Sequence, residues 1–347
     1  MKTTESCKAV FPRPARRIAG QRQDVWSIIN YAAAKSMVVN TGQGFFIYNP
    51  PEFIMDAAKE AVTKVDSNQY WPTTGRPSLK RAIAESYSEA LETKIDPDTE
   101  VNITTGANED MNPTYISNIE MAGGEVRYVS LNPPRSGNYT TSSSADWVVD
   151  MEKVRDTIMG KVFSRSKLEE ISQLCVENKI IILSDEVYDS LHYVPVTRVA
   201  TLSQQVRDLT LTVGSAGKSL YATAWRIGFL VGPQHLIKHV SAAHTRVCYS
   251  SPSPLQEACA TGYAHAGVNG FWGRSRAAAC KARSSGSSRL RFLIMELGIA
   301  AIPPTEFSLP NNSSLAENYL RFTICKEGSV LENATERLRG LKKYIEP

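Results

Sequence analysis

The 347-residue chain has no apolar run long enough to cross a bilayer, no C-x-x-C cysteine pair and no large excess of one charge. Each absence closes off a class of function. A membrane helix needs roughly 20 consecutive apolar residues, so no membrane role is expected. The six cysteines (Cys7, Cys175, Cys248, Cys259, Cys280 and Cys325) are scattered. That spacing suits inert thiols in a reducing compartment better than a disulfide framework or a zinc site. The net charge of +4 is small and mixed in sign along the chain, which argues against a nucleic-acid partner. The first residues carry Lys8, Arg13, Arg16, Arg17 and Arg22 but no apolar h-region, so no secretory signal is expected. A cytosolic location is the expectation. A mitochondrial presequence is the alternative, and Glu5 and the two prolines weigh against it.

What is present is ordinary in bulk: 42% hydrophobic and 21% charged residues, enough chain for one large domain with a smaller one beside it. Periodicity predicts helices at 24–35, 51–65, 78–91, 168–178 and 331–344. It predicts strands at 38–44, 101–105, 180–184, 209–213, 227–231 and 320–325. The run Ile180-Ile181-Ile182-Leu183-Ser184 reads as a buried parallel strand. Alternating strands and helices predict an α/β layered domain with ligands at the carboxyl ends of the strands. Residues 266–291 show neither period.

The most informative stretch is Ser215–Gly228, which sets Lys218 among small residues, with Ser215 three positions before it and Arg226 eight after. It is not a P-loop, because that motif needs glycine at 212 and Thr212 stands there. Once neutral, a lysine amine can condense with an aldehyde. A hydroxyl and a guanidinium beside it suit a phosphate. Pyridoxal 5'-phosphate carries both groups. A surface lysine in a strand-to-helix loop is the plainer alternative.

Further stretches join this one: Asn40–Phe45, Asn68–Pro77, Ile103–Ala107, Ser184–Tyr188, Ser250–Ala258, Ile302–Phe307 and Leu320–Phe322. Together they resemble the fold-type I pyridoxal-phosphate aminotransferases, specifically the kynurenine aminotransferase and cysteine-conjugate β-lyase group. The resemblance implies a large domain with a mainly parallel sheet flanked by helices, and a smaller α+β domain. The expected division is 1–45 (arm and part of the small domain), 46–262 (large domain) and 263–347 (small domain, with the atypical 266–291). It also implies a homodimer with shared active sites.

The resemblance gives Lys218 the cofactor linkage and the acid–base work, Asp185 the pyridine nitrogen, and Tyr188 the ring oxygen. Ser215, Arg226, Gly106 and Ala107 would bind the phosphate, with Tyr70 reaching in from the other subunit. Arg321 would hold the substrate carboxylate, and Gly42 and Trp26 would line the substrate pocket. Taken singly, Asp185 also reads as a helix N-cap, Tyr188 as a core tyrosine, Arg321 as a salt-bridge partner and Trp26 as packing.

The implied reaction is ping-pong transamination of kynurenine or related aromatic, glutamine-like or sulfur amino acids with a 2-oxo acid, with β-elimination as a side activity. The loop Gln69–Pro77 and the run Pro303-Pro304-Thr305-Glu306-Phe307 argue against an aromatic or aspartate aminotransferase.

Two blocks of the family pattern are missing, near 111–112 and near 158–160. With them go a ring-stacking aromatic, a buried strand and an asparagine that bonds the ring oxygen. Asn108 stands where relatives carry an aromatic. Skipped exons or a mis-joined frame would explain both gaps and the basic, Ser/Ala-rich insert. The expected consequence is exposed strand edges and an impaired or inactive enzyme.

Overall fold

The structure is a computed structural model. It describes residues 34, 38–42, 45–46, 48–107, 119, 122–126, 131–132, 148–149, 163–192, 195–275, 298–301, 322–323 and 326–340. The expected helix at 24–35 lies outside these residues except for Ala34, and so does most of the expected strand at 320–325.

The centre is a four-stranded sheet of β2 (Val101–Thr104), β5 (Ile182–Asp185), β6 (Thr210–Ser215) and β7 (Gly228–Val231) in the order β2-β7-β6-β5. β5 and β6 pair in parallel, whereas β7 runs antiparallel to both β2 and β6. Three strands therefore point one way and one points back. Asp185, Lys218 and Gly106 thus fall at strand carboxyl ends, as expected, whereas Arg226 precedes the amino end of β7. Two short ladders complete the described strands: β1 (Val39–Asn40) parallel to β8 (Ile299–Ala300), and β3 (Leu131–Asn132) antiparallel to β4 (Val148–Val149).

Helices cover both faces of the sheet. α1 (Glu52–Thr63), α2 (Pro77–Ala90) and α7 (Ser253–Ala266) pack together on one side. Their apolar stripes bury Ile54, Leu79, Ile83 and Tyr263 against Ile103 of β2 and Phe229 of β7. Proline suits the first turn of α2 because its missing N–H would have no partner there. On the other face α6 (Gln234–Val247) packs Ile237 with Leu211, Val213 and Leu230. Ser241 of that helix donates to the buried Asn102 of β2 at 2.8 Å.

Three further helices lie along the chain: α3 (Arg165–Asn178), and the short α4 (Gln204–Arg207) and α5 (Ala216–Ser219). Ser164 caps α3 through a bond from the Lys167 amide, and Cys175 and Ile171 pack with Ile182 of β5. The last described helix, α8 (Gly328–Arg339), touches β1, and its Arg337 donates to the Gly298 carbonyl at 3.0 Å.

The strand expected at 180–184 begins two residues later, and it is not buried. Ile180, Ile181 and Leu183 are 44%, 54% and 42% exposed. Apolar content indicated a strand covered on both faces. Among the described residues β5 lies at the sheet's edge, which explains the difference. Residues 266–291 were expected to lack structure of either period, but their first part is built into the core. Phe271 is buried and meets Phe53 and Tyr221 edge-on at 6.3 and 5.4 Å.

Candidate active site

Strand register gathers the candidate residues at one edge of the sheet. Thr104 at the end of β2 lies opposite Gly228 at the start of β7. Gly228 also pairs with Ser215 at the end of β6, and Asp185 ends β5 beside Val213. The turns leaving these four positions carry Gly106 and Ala107, Arg226, Lys218, and Tyr188. Four segments spread over more than a hundred residues of chain thus open onto one place.

On the β2–β7 side the arrangement depends on missing side chains. Gly106 sits at φ +81°, where other residues are strained, and a Cβ there would lie 2.4 Å from Nη2 of Arg226. The guanidinium therefore occupies the space a side chain would fill. A Cβ on Gly228 would meet the Ala107 amide nitrogen at 2.4 Å and the Gly106 carbonyl carbon at 2.5 Å. The chain can bring backbone amides and an arginine together here only because both positions are glycine. Arg226 itself adopts φ +57° and donates from Nη1 to the Thr223 carbonyl at 3.1 Å. Tyr221, at φ +60°, is a second non-glycine residue held left-handed in the same loop, a sign of strain kept at a working site.

Lys218 lies on α5, which leaves the end of β6 at once. Thr223 closes the turn after it by donating to the Gly217 carbonyl at 3.3 Å. The Lys218 amine is 5.6 Å from the centroid of the Tyr188 ring, within cation–π range. Tyr188 is 42% exposed, which excludes the core-tyrosine alternative. Asp185 accepts a bond from the Val187 amide at 3.3 Å. No described helix begins at Asp185, so the helix N-cap offered as its alternative reading is absent and the bond closes a local turn instead.

The other candidates divide. Gly42 is buried, and its amide donates to the Asn40 side chain at 3.1 Å. Tyr70 is 85% exposed and stacks edge-on with Tyr249 at 5.6 Å. Its loop is fixed by Arg76, which pairs with Asp66 at 2.6 Å and with Glu257, while Gln256 accepts from the Arg76 amide at 2.8 Å. Arg321, Trp26 and Asn108 lie outside the described residues.

Two features escape a reading of the sequence alone. Phe46 and Tyr48 close on Tyr221 at 4.4 and 4.9 Å, joining the strap after Gly42 to the lysine turn. Arg198 bridges Glu186 at 2.6 Å and Asp189 at 2.9 Å, behind Tyr188. Glu186 belongs to a recognisable stretch, but no local signal links it to an arginine twelve residues on.

A lysine facing an aromatic ring, at the same sheet edge as an arginine packed on a glycine and the backbone of Ala107, is a set of groups suited to an anionic carbonyl compound. The residue types fit a phosphate-bearing aldehyde, because Lys218 supplies an amine, and Arg226 with the neighbouring Gly106 and Ala107 backbone supplies donors for an anion.

Comparison with known proteins gives the family. The sequence profile described as aminotransferase class I and II matches residues 113–286. The Saccharomyces cerevisiae protein named "Probable kynurenine--oxoglutarate transaminase BNA3" is 36% identical, over 93% of this chain and 93% of its own length. That alignment runs to 414 positions, longer than the chain itself, so the yeast protein has stretches without a counterpart here. Human kynurenine–oxoglutarate transaminase 1 is 30% identical, over 72% of this chain and 68% of its own length. The crystal structure of yeast Bna3p superposes with a TM-score of 0.85 at 35% identity, covering 97% of this chain and all of that one. N-succinyldiaminopimelate aminotransferase from Mycobacterium tuberculosis follows at a TM-score of 0.81 and 25% identity, covering 94% of this chain and all of that one.

The chain belongs to the class I and II aminotransferases, of fold type I, and its cofactor is pyridoxal 5'-phosphate. These relatives favour a working transaminase over an inactive remnant.

Proposed function

We propose that this aminotransferase moves the amino group of kynurenine, or of a related aromatic or sulfur amino acid, to a 2-oxo acid such as oxoglutarate. The observation that carries the reading is the convergence of Lys218, Tyr188, Arg226 and Gly106 on one sheet edge. The names of the relatives supply the substrate class.

The cofactor supplies an electron sink that stabilises negative charge at the substrate Cα. The protein does the rest. Arg226, Ser215 and the Gly106 and Ala107 amides would hold the phosphate, with charge-assisted bonds from the guanidinium the strongest of these. Lys218 would provide the amine that holds the cofactor, and would then move the proton between the substrate Cα and the cofactor's aldehyde carbon. The Asp185 carboxylate would keep the ring nitrogen protonated, and the Tyr188 hydroxyl would pair with the ring oxygen. By the family resemblance Gly42, Trp26 and Arg321 would serve the substrate end, where a planar arginine fork suits the α-carboxylate.

The working unit is a homodimer. Val62, Val65, Tyr70, Val247 and Tyr249 are each more than half exposed. Thr73 bonds Thr245 at 2.8 Å and thereby joins the Tyr70 loop to α6. A second copy seated on this apolar surface would cover it and bring Tyr70 to the partner's phosphate cup. We place the protein in the cytosol, which agrees with Cys175 and Cys259 being buried thiols. No described helix is long and apolar enough to cross a membrane.

The decisive experiment incubates the purified protein with pyridoxal 5'-phosphate, reduces it with borohydride and maps the adduct by peptide mass. A single adduct on Lys218, with kynurenine consumed only when oxoglutarate is present, supports the proposal. Absence of any Lys218 adduct would sink it.

A further inference from the structure

Next to the turn that carries Asp185 and Tyr188 lies a largely buried polar cluster. Arg198 donates from Nη1 to Glu186 at 2.6 Å and from Nη2 to Asp189 at 2.9 Å. The side chains of all three are no more than 18% exposed. Tyr87 of α2 donates to the same Asp189 carboxylate at 2.5 Å, and the Arg198 guanidinium lies 5.1 Å from the Tyr87 ring centroid. Ser184, the last residue before Asp185, donates to the second Glu186 oxygen at 3.1 Å.

The geometry has a direct consequence. Glu186 follows Asp185, and Asp189 follows Tyr188, so the arginine grips the turn at both ends of its working pair. The turn leaves an edge strand whose apolar side chains are half exposed, so the sheet supplies less packing to hold it than it gives the other strand ends. A guanidinium is suited to this task because its planar fork fixes two acceptors in one geometry, which a lysine cannot do. Burial pushes the Glu186 carboxyl up, against the pull of Arg198, so the cluster costs desolvation free energy as well as supplying pairing. A polar cluster of this cost is better explained by the conformation it fixes than by net stability.

We infer that Arg198 is a positioning residue for the proposed transamination, clamping Glu186 and Asp189 so that Asp185 and Tyr188 face the Lys218 amine. The inference rests on the functional reading given above, and its test separates the two.

Three variants of the full-length protein are compared with the parent for melting temperature, affinity for pyridoxal 5'-phosphate and the absorption spectrum of the lysine-bound cofactor across pH. Arg198→Lys keeps the charge and loses the fork. Glu186→Met opens one arm and leaves a buried Arg198–Asp189 pair of no net charge, so the fold should tolerate it. Tyr87→Phe removes a buried hydrogen bond and leaves both arms. The first two should fold, bind the cofactor about tenfold more weakly, as loss of one charge-assisted contact implies, and shift the pH at which the spectrum changes. Tyr87→Phe should move the melting temperature and leave the spectrum alone.

Parental affinity and spectrum in both clamp variants would overturn the inference and leave the role of Lys218 intact. If Arg198→Lys does not fold, Glu186→Met decides alone. If neither folds, the cluster is structural only and the inference falls. A parent protein that takes up no cofactor at Lys218 overturns the functional reading and this inference together.

Discussion

The two halves of the site are built by different means. On the side proposed to hold the phosphate, β2, β7 and β6 lie side by side with every residue of each strand buried. The cup there is shaped by backbone, by two glycines and by strain at Arg226. On the ring side, Asp185 and Tyr188 leave an edge strand whose residues alternate between half-buried and exposed, and side-chain ion pairs hold the turn. Backbone construction is rigid and intolerant of added atoms. Side-chain construction tolerates substitution but loses geometry when one partner goes. The contrast predicts where each half fails and how.

The largest effect falls where the halves meet. Lys218→Ala should remove the lysine-bound absorption band and lower kcat by about 10²–10⁴-fold or more, since the acid–base group and the point of attachment go together. Melting should change little in the absence of cofactor, because the Lys218 side chain faces the site rather than the core. Parallel assays of turnover and melting check this. Substantial residual turnover would move the chemistry away from Lys218.

Within the phosphate half, two glycine substitutions should separate binding from folding. At Gly106 an added methyl meets the end of a flexible side chain, and the Arg226 guanidinium can swing aside. Gly106→Ala should therefore cost about 1–2 kcal/mol from its left-handed backbone and lose most of its cofactor affinity. At Gly228 the methyl meets backbone atoms of Gly106 and Ala107, which cannot yield without opening the β2–β7 ladder. Gly228→Ala should cost more in stability, about 1–3 kcal/mol or above. Urea unfolding measures the two costs, and cofactor titration of the surviving protein measures the affinity. Equal losses in both assays would show that the cup is not built on this distinction.

The same division explains what a linear reading could reach. Lys218, Ser215, Arg226 and Gly106 stand out because a motif and a glycine requirement leave local marks in sequence. The strands at 101–105, 209–213 and 227–231 stand out because β-branched runs do so as well. The reversed direction of β7 carried no such mark, since an apolar strand reads the same both ways. Nor did the exposure of β5, because apolar content indicates what a strand prefers and not whether a neighbour covers it. Arg198 was invisible for a related reason. Its partners lie nine and twelve residues away across a loop, and only the folded turn makes them neighbours.

A smaller effect tests the ring half alone. Burial raises the Glu186 carboxyl above its unfolded value, so the folded state holds a proton there over a pH interval in which the unfolded chain has released it. The stability tied to that proton is present at low pH and lost as pH rises through the raised value. Glu186→Gln removes the titration while keeping the shape. The parent should lose more stability than the variant does when an acidic and a near-neutral pH are compared. Urea unfolding at the two pH values reads the difference. Identical slopes would mean that Glu186 is ionised throughout and the clamp is less desolvated than its burial implies.

The smallest thermodynamic effect belongs to the exposed edge itself, and there the consequence lies in solution behaviour. Ile181 and Leu183 are about half exposed, so replacing either with lysine removes little buried apolar surface. Stability should stay within about 0.5 kcal/mol of the parent, as for most surface changes. A charge on an edge strand opposes edge-to-edge pairing between copies, which is how natural sheets keep such edges apart. Ile181→Lys with Leu183→Lys should therefore raise the soluble fraction after heating and leave the melting temperature nearly unchanged. Phe229→Ala on the fully buried β7 should do the reverse, costing about 3–5 kcal/mol. Light scattering during a thermal ramp separates the two. A large fall in melting temperature for the lysine pair would mean that β5 is covered after all and that the two halves of the site are more alike than their burial indicates.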